Sequence, residues 1–258
     1  MFPSEWHHSY ILTAGESDAG GRMPVTLVTE RVIEAATEHA NALHIGYDEL
    51  SKANIGWVLS RLAVEMFRYP RINERYTLST WIQSYNRRFS ERAFVMKSDD
   101  TGEVLGYMLS IWTAIDIERR TVADLSAFEK ERFPIGSIEC PIAPVIRPAK
   151  IDPALAQTEQ YTFKYCDLDF NRHVNTVRYI TLILNHWSLD WFDTHTIRRF
   201  DILFHHECFF GQTVDLCIQP TGSAEDTCEI NHGDQKAVAA HILWSPLTPD
   251  GPDGGKNP

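Results

Sequence analysis

The chain lacks most of the features that mark secreted, membrane and nucleic-acid-binding proteins. Its five cysteines are odd in number and form no CxxC pair, which favours a reduced, intracellular protein over a disulfide framework. No apolar run approaches the ~20 residues of a membrane span, and the polar, aromatic segment 1–10 lacks the apolar core of a signal peptide. The net charge of −11 and the pI of about 5.4 argue against nucleic acid as the main partner. We therefore expect a cytoplasmic protein without a membrane span.

What the sequence does contain is a pattern that occurs twice. Helical spacing of apolar residues predicts long helices at 26–43 and 174–191 and a shorter one at 47–53. Alternation of apolar and polar residues predicts strands. The predicted strands are 57–69, 76–85, 93–97, 106–116, 160–165, 197–207, 213–219, 227–231 and 236–243. The order of a strand, a long helix and about four strands is repeated, and residues 63–78 can be laid over 201–216, which indicates an internal duplication.

The two halves are separated by a proline-rich segment. Residues 133–153 hold five prolines and suit an extended linker between an N-terminal half, 1–132, and a C-terminal half, 154–247. The Gly/Pro-rich end, 248–258, is predicted to be a disordered tail. One long helix wrapped by a curved antiparallel sheet is the hotdog fold. We therefore predict an α+β protein with a tandem (double) hotdog.

The segment DLDFNRHVN, residues 167–175, carries the strongest chemical signal. Asp169, Asn171 and His173 stand at every second residue, which would place their side chains on one side of an extended segment. A predicted helix follows, and its N-terminus, around Val174 and Asn175, would offer unpaired N–H groups that can polarise a carbonyl or hold an anion. A carboxylate, an amide and an imidazole gathered there add little stability, so the cluster indicates a chemical role.

The same region carries a family resemblance. Residues 167–180, DLDFNRHVNTVRYI, resemble the motif DLDxNxHVNNxxYI of the acyl-acyl carrier protein thioesterases, although Thr176 replaces the second Asn. His206-Glu207-Cys208 resembles the family's REC segment, and the similarity extends over most of residues 5–245. The resemblance implies hydrolysis of acyl-acyl carrier protein thioesters to free fatty acid and carrier thiol, ending fatty acid synthesis, without a metal or organic cofactor. The catalytic residues that it implies are Asp169, Asn171, His173 and Glu207.

Each of these residues has an expected role. Asp169 would attack the carbonyl or activate water, and Asn171 would orient Asp169 or the water. Glu207 would fix the imidazole tautomer of His173. An anhydride on Asp169 and direct attack by water both stay open.

The first half lacks an equivalent polar set. In the alignment of the two halves, residues 19–23 stand opposite 169–173, and Tyr69 stands opposite Glu207. We therefore expect one active site per chain. The resemblance implies that the N-terminal hotdog shapes the acyl pocket and mainly sets chain length.

Other interpretations remain open at this point. A Cys208–His173–Asn171 triad is one, but neighbouring strand residues point to opposite faces, and we prefer Glu207 over Cys208 as the partner of His173. An acyl-CoA thioesterase, a hotdog dehydratase and a non-catalytic acyl-binding module are further alternatives. A metal site lacks supporting ligand spacing. Its candidate ligands would be His195, His205, His206 and Glu207.

The implied partner is acyl carrier protein with an acyl chain on its 4′-phosphopantetheine. That partner is strongly acidic, so basic pairs are candidates for docking it. The candidate docking residues are Arg119, Arg120, Arg198 and Arg199. The chain lacks the transit peptide of the plant members, which suggests a bacterial or otherwise cytosolic member. Both a monomer and a homodimer are compatible with the sequence.

Overall fold

The computed structural model describes residues 2–128 and 130–247. The chain divides into two compact units, Met1–Pro144 and Val145–Pro258, and the division falls inside the predicted connector. The predicted tail at 248–258 lies outside the described residues.

The first unit consists of a long helix and an antiparallel sheet. Its elements are β1 (Glu5–Ile11), α1 (Val25–Ala42), α2 (Tyr47–Leu50), β2 (Ile55–Met66), β3 (Arg75–Tyr85), β4 (Phe89–Ser98), β5 (Val104–Asp116) and β6 (Thr121–Val122). The strand order is β1-β3-β4-β5-β2, with β6 added to the end of β5. The helix contacts β1 and β3 through a buried face that includes Val28, Val32 and Ala35. Burying such aliphatic side chains contributes ~1.5–3 kcal/mol for each of the larger ones.

The second unit repeats this topology. Its elements are β7 (Gln157–Thr162), α3 (Thr176–Leu184), α4 (Leu189–Phe192), β8 (His195–Phe204), β9 (Thr213–Pro220), β10 (Glu225–His232) and β11 (Gln235–Pro246). The order β7-β9-β10-β11-β8 places the first, third, fourth, fifth and second strands side by side, as in the first unit. All pairings are antiparallel. The repeated order supports the predicted duplication.

The second long helix is shorter than predicted. The apolar spacing indicated a helix over 174–191, but α3 has nine residues and ends at Leu184. Ser188 then starts α4, because its hydroxyl accepts a hydrogen bond from the N–H of Trp191 at 3.3 Å. Serine is a favoured N-cap residue. The cap at Ser188 starts a new helix where the apolar spacing alone predicts that the first helix continues.

Strand β1 was not among the predicted strands. Its sequence EWHHSYI has alternating exposure, but the less exposed positions are Trp6, His8 and Tyr10, which do not form a simple apolar row. Hydrogen bonds from β3 determine its structure, since Glu5 pairs with Trp81 and Ile11 with Arg75. Within the described residues, no helix is long and apolar enough to cross a membrane.

Candidate active site

The segment from Asp169 to His173 is a tight turn, so the predicted extended conformation is wrong. The N–H of Asp169 donates to the carbonyl of His173 at 2.8 Å, and the N–H of Arg172 donates to the carbonyl of Asp169 at 3.0 Å. Arg172 has a positive φ of 64°. An aspartate that bonds to nearby backbone N–H groups stabilises such a turn, and this conformation also fits the sequence spacing.

The Asp169 carboxylate is held at one oxygen. Its Oδ1 accepts hydrogen bonds from the N–H of Asn171 at 2.8 Å and of His173 at 3.0 Å. No group in the described part of the chain forms a hydrogen bond with Oδ2. The carboxylate therefore has a fixed direction, and one oxygen is left for chemistry.

His173 and Glu207 lie side by side. Nδ1 of His173 is 3.3 Å from Oε1 of Glu207, and the side chains are 21% and 30% exposed. The imidazole also meets the ring of Phe209 edge-on, with centroids 5.1 Å apart. Because Nδ1 faces the carboxylate, Nε2 is the ring nitrogen that can meet a substrate.

The Cys208 thiol is buried beside the Tyr179 hydroxyl. The residue is 1% exposed, and burial raises the pKa of its thiol. A thiol with a raised pKa is a poor nucleophile at neutral pH, because the thiolate is the reactive form. Burial and the raised pKa of the thiol therefore weigh against the Cys208–His173–Asn171 triad.

The backbone donors expected at the start of α3 are already used. The N–H of Val174 donates to the carbonyl of Cys208, and that of Asn175 donates to the carbonyl of Asp167, both at 2.8 Å. The side chain of Asn175 caps the helix by accepting from the N–H of Val177 at 2.9 Å. The prediction that Val174 and Asn175 supply oxyanion donors is therefore wrong.

Asn171 is the remaining neutral donor in the turn. Its side chain is exposed, and its amide forms no hydrogen bond with any other residue that the structure describes. A primary amide in this position can donate to a carbonyl oxygen that enters beside Asp169.

The first unit contains the same turn. Oδ1 of Asp18 accepts from the N–H of Gly20 and of Arg22, each at 2.9 Å, and the N–H of Asp18 donates to the carbonyl of Arg22 at 2.8 Å. Gly21, with φ 72°, takes the place of Arg172. Asp18 is therefore equivalent to Asp169, and the predicted alignment of 19–23 with 169–173 was displaced by one residue.

The equivalence continues to the segment that carries Glu207. The N–H of Met23 donates to the carbonyl of Pro70 at 2.9 Å, as that of Val174 does to the carbonyl of Cys208. Pro70 thus matches Cys208, and Tyr69 matches Glu207, as predicted. The two turns share their aspartate and differ in the surrounding side chains. The pairs that differ, first unit before second, are Gly20 and Asn171, Arg22 and His173, Tyr69 and Glu207, and Pro70 and Cys208.

The four candidate docking arginines differ in accessibility. Arg199 is 5% exposed and donates twice to the Asp201 carboxylate at 2.8 Å. The structure contradicts a docking role for Arg199, because its guanidinium is buried in this ion pair. The Arg119 side chain is 81% exposed and lies 3.9 Å from Asp116. Arg120 is also exposed, and Arg198 is partly exposed.

The suggested metal site is not assembled. Within residues 2–128 and 130–247, no three His, Cys, Asp or Glu side chains are grouped so that they could hold a metal ion.

Comparison with known families matches both units. Residues 3–127 match the acyl-ACP thioesterase N-terminal domain, and residues 152–246 match the acyl-ACP thioesterase C-terminal domain. The chain belongs to the acyl-ACP thioesterase family. The family assignment agrees with the resemblance carried by the DLDFNRHVN segment.

Individual relatives and solved structures agree with this assignment. The chain is 25% identical over 240 residues to the chloroplastic oleoyl-acyl carrier protein thioesterase 1 of Arabidopsis thaliana, covering 86% of this chain and 66% of that protein. It is 26% identical over 245 residues to the chloroplastic dodecanoyl-[acyl-carrier-protein] hydrolase of Cinnamomum camphora, covering 88% and 64%. The chain thus spans about two thirds of the length of these curated relatives.

Solved structures of thioesterases match nearly the whole chain. An acyl-ACP thioesterase from Bacteroides thetaiotaomicron superposes with a TM-score of 0.87 at 27% identity, covering 94% of this chain and 98% of that one. The 12:0-ACP thioesterase from Umbellularia californica superposes with a TM-score of 0.86 at 20% identity, covering 95% and 99%. These likenesses confirm the predicted α+β, double-hotdog fold.

Proposed function

We propose that this member of the family hydrolyses acyl-acyl carrier protein thioesters to a free fatty acid and the carrier thiol, ending fatty acid synthesis. The observation that carries the proposal is the combination of an anchored Asp169, an unbonded Asn171 amide and the His173–Glu207 pair in one unit. Family membership suggests the substrate class, because the names of the Arabidopsis thaliana and Cinnamomum camphora relatives describe thioesterase and hydrolase activity on acyl carrier protein.

The thioester carbonyl would enter between Asp169 and Asn171. Oδ1 of Asp169 is held by two N–H groups, so Oδ2 is the oxygen that would attack the carbonyl carbon or take a proton from the attacking water. The Asn171 amide would donate to the carbonyl oxygen as negative charge develops on it. Attack by Oδ2 would give an acyl-aspartyl anhydride that water then cleaves. Attack by water would give the acid in one step.

His173 would protonate the leaving group. Glu207 faces Nδ1 and would pair with the ring when both of its nitrogens carry a proton. Nε2 would then deliver a proton to the departing pantetheine sulfur, and a water proton would restore the imidazolium. In this mechanism Glu207 acts through His173 and does not touch the substrate.

Carrier recognition is a separate part of the proposal. The exposed pair Arg119 and Arg120 would contact the acidic carrier, with Arg198 as a third candidate. A double change of Arg119→Glu and Arg120→Glu should raise KM for acyl-acyl carrier protein by ~10-fold or more and leave KM for a small acyl thioester unchanged. Equal effects on both substrates would contradict a docking role.

The carrier and the reaction type are tested together. We expect thiol release from an acyl-acyl carrier protein to exceed release from the coenzyme A thioester of the same chain. Preference for the coenzyme A thioester would support the acyl-CoA thioesterase alternative. Loss of water from a 3-hydroxyacyl thioester without thiol release would support a dehydratase.

A further inference from the structure

We propose that Tyr179 is a positioning residue that holds Glu207 against His173. The proposal rests on the function proposed for Glu207. It comes from a buried contact in α3 that the catalytic mechanism above does not use. Tyr179 lies on the helix that follows the turn, and its side chain reaches the segment after β8.

The contact is made to the peptide next to Glu207. The N–H of Cys208, which belongs to the Glu207–Cys208 peptide, donates to the Tyr179 hydroxyl oxygen at 3.0 Å. The carbonyl of the same Cys208 accepts from the N–H of Val174 at 2.8 Å. Both backbone groups of Cys208 are thus tied to residues that follow His173 in the chain, Val174 directly after it and Tyr179 in α3. Glu207 is held at the other end of the same peptide bond.

The Tyr179 ring has little freedom to move. It is 4% exposed and packs edge-on against Phe163, with centroids 5.6 Å apart. On another side it meets Phe204, the last residue of β8, at 6.2 Å. Burial raises the pKa of Tyr179, so the hydroxyl stays protonated and keeps a neutral oxygen as acceptor.

The first unit supplies an internal comparison. The turns align Asp18 with Asp169, and this register places Val28 at the position of Tyr179. Pro70 stands at the position of Cys208. Proline has no N–H, so the first unit needs no acceptor there, and valine offers none. The tyrosine acceptor and the backbone donor therefore occur together in the unit that carries the carboxylate and the imidazole.

Removing the Tyr179 hydroxyl should leave the Cys208 N–H buried and unpaired. The Glu207–Cys208 peptide would then shift to find a partner, and a displacement of about 1 Å can cost ~100-fold in rate. We expect Tyr179→Phe to lower kcat ~10- to 100-fold with KM within about twofold. Tyr161→Phe is the matched control, because it removes a hydroxyl that bonds to Asp167 outside the proposed catalytic set. It should leave kcat unchanged.

A double-mutant cycle separates positioning from general damage. Tyr179→Phe is measured alone and in a Glu207→Ala background, at high enzyme concentration so that residual thiol release is quantified. We expect the Tyr179→Phe effect to fall below about twofold once Glu207 is gone, since the positioned group is absent. The same loss of kcat in both backgrounds would overturn the inference.

The outcomes also separate this inference from the proposed function. A Glu207→Ala enzyme with the wild-type rate would overturn the role of Glu207 itself. An inactive Glu207→Ala beside a fully active Tyr179→Phe would overturn only the role of Tyr179. If Tyr179→Phe fails to fold, the pair Tyr179→Phe and Cys208→Pro removes the acceptor and the donor together, as in the first unit. That variant should fold and keep the low kcat, and a wild-type kcat would overturn the inference.

Discussion

Asp18 and Asp169 offer a test in which one half of the chain is the control for the other. Each carboxylate accepts two backbone N–H bonds through Oδ1 and stabilises the same turn. Asparagine keeps an oxygen for both bonds and removes only the charge, whereas alanine removes both bonds. Asp→Asn and Asp→Ala at each position therefore separate the structural role from the chemical one.

The stability effects should be similar in the two units. Hydrogen bonds to a charged acceptor contribute ~1.5–3 kcal/mol when buried, and both turns are only partly buried, so each Ala variant should lose ~1–3 kcal/mol. For a chain of this length that is a decrease in Tm of ~2–10 °C. Each Asn variant should lose less than ~1 kcal/mol. Thermal unfolding followed by circular dichroism measures these values.

The effects on kcat should differ between the two positions. Asp169→Asn should lower kcat by ~1000-fold or more, because the nucleophile or base is gone while the turn remains. Asp18→Asn and Asp18→Ala should keep kcat within about threefold of wild type, because their turn carries no proposed chemistry. Thiol release from acyl-acyl carrier protein is measured on the same preparations. A kcat for Asp169→Asn within tenfold of wild type would refute a chemical role for the carboxylate.

Two further predictions concern buried groups. Cys208→Ala should keep kcat within about threefold of wild type. Iodoacetamide followed by mass spectrometry should label the exposed Cys166 and spare the buried Cys208. An inactive Cys208→Ala variant would instead favour a cysteine nucleophile. Nδ1 of His39 accepts a hydrogen bond from Arg92 at 2.8 Å, and Nε2 donates to the Pro3 carbonyl. Burial, assisted by the Arg92 charge, lowers the pKa of His39 to about 4. As the pH drops from 6.5 to 4, His39 gains a proton in the unfolded chain but stays neutral in the folded chain. The free energy of unfolding should therefore fall by ~3 kcal/mol across that pH range. His39→Gln should flatten the dependence in denaturant titrations, and an unchanged slope would contradict the assignment.

The sequence predicted the architecture well where a local pattern and the tertiary environment agree. The alternation in β3 follows the burial of Tyr76, Leu78 and Thr80, and the repeat of a long helix followed by about four strands is visible in the sequence. Prediction failed where a cap or a partner strand decides the outcome. Ser188 separates α3 from α4, and β1 depends on pairing with β3.

The site residues could be predicted from the sequence, but their conformation could not. The spacing of Asp169, Asn171 and His173 suits both an extended strand and an aspartate-stabilised turn, and only the hydrogen bonds distinguish the two. The alignment of the first turn was displaced by one residue, because Gly20 and Gly21 have no side chains that would set the register, and the equivalence of Asp18 with Asp169 is visible only in the hydrogen bonds. In the sequence, Tyr179 stands among the apolar residues of α3 and carries no sign of a polar contact. Its role as an acceptor depends on a peptide 29 residues away.

The central claim is that the polar set of the second unit hydrolyses acyl-acyl carrier protein. The most direct test is thiol release from a chain-length series of acyl-acyl carrier proteins by wild type beside His173→Ala. The account predicts turnover by wild type and loss of turnover in a folded His173→Ala variant. Turnover by that variant at the wild-type rate, or acyl binding by wild type without any thiol release, would contradict it.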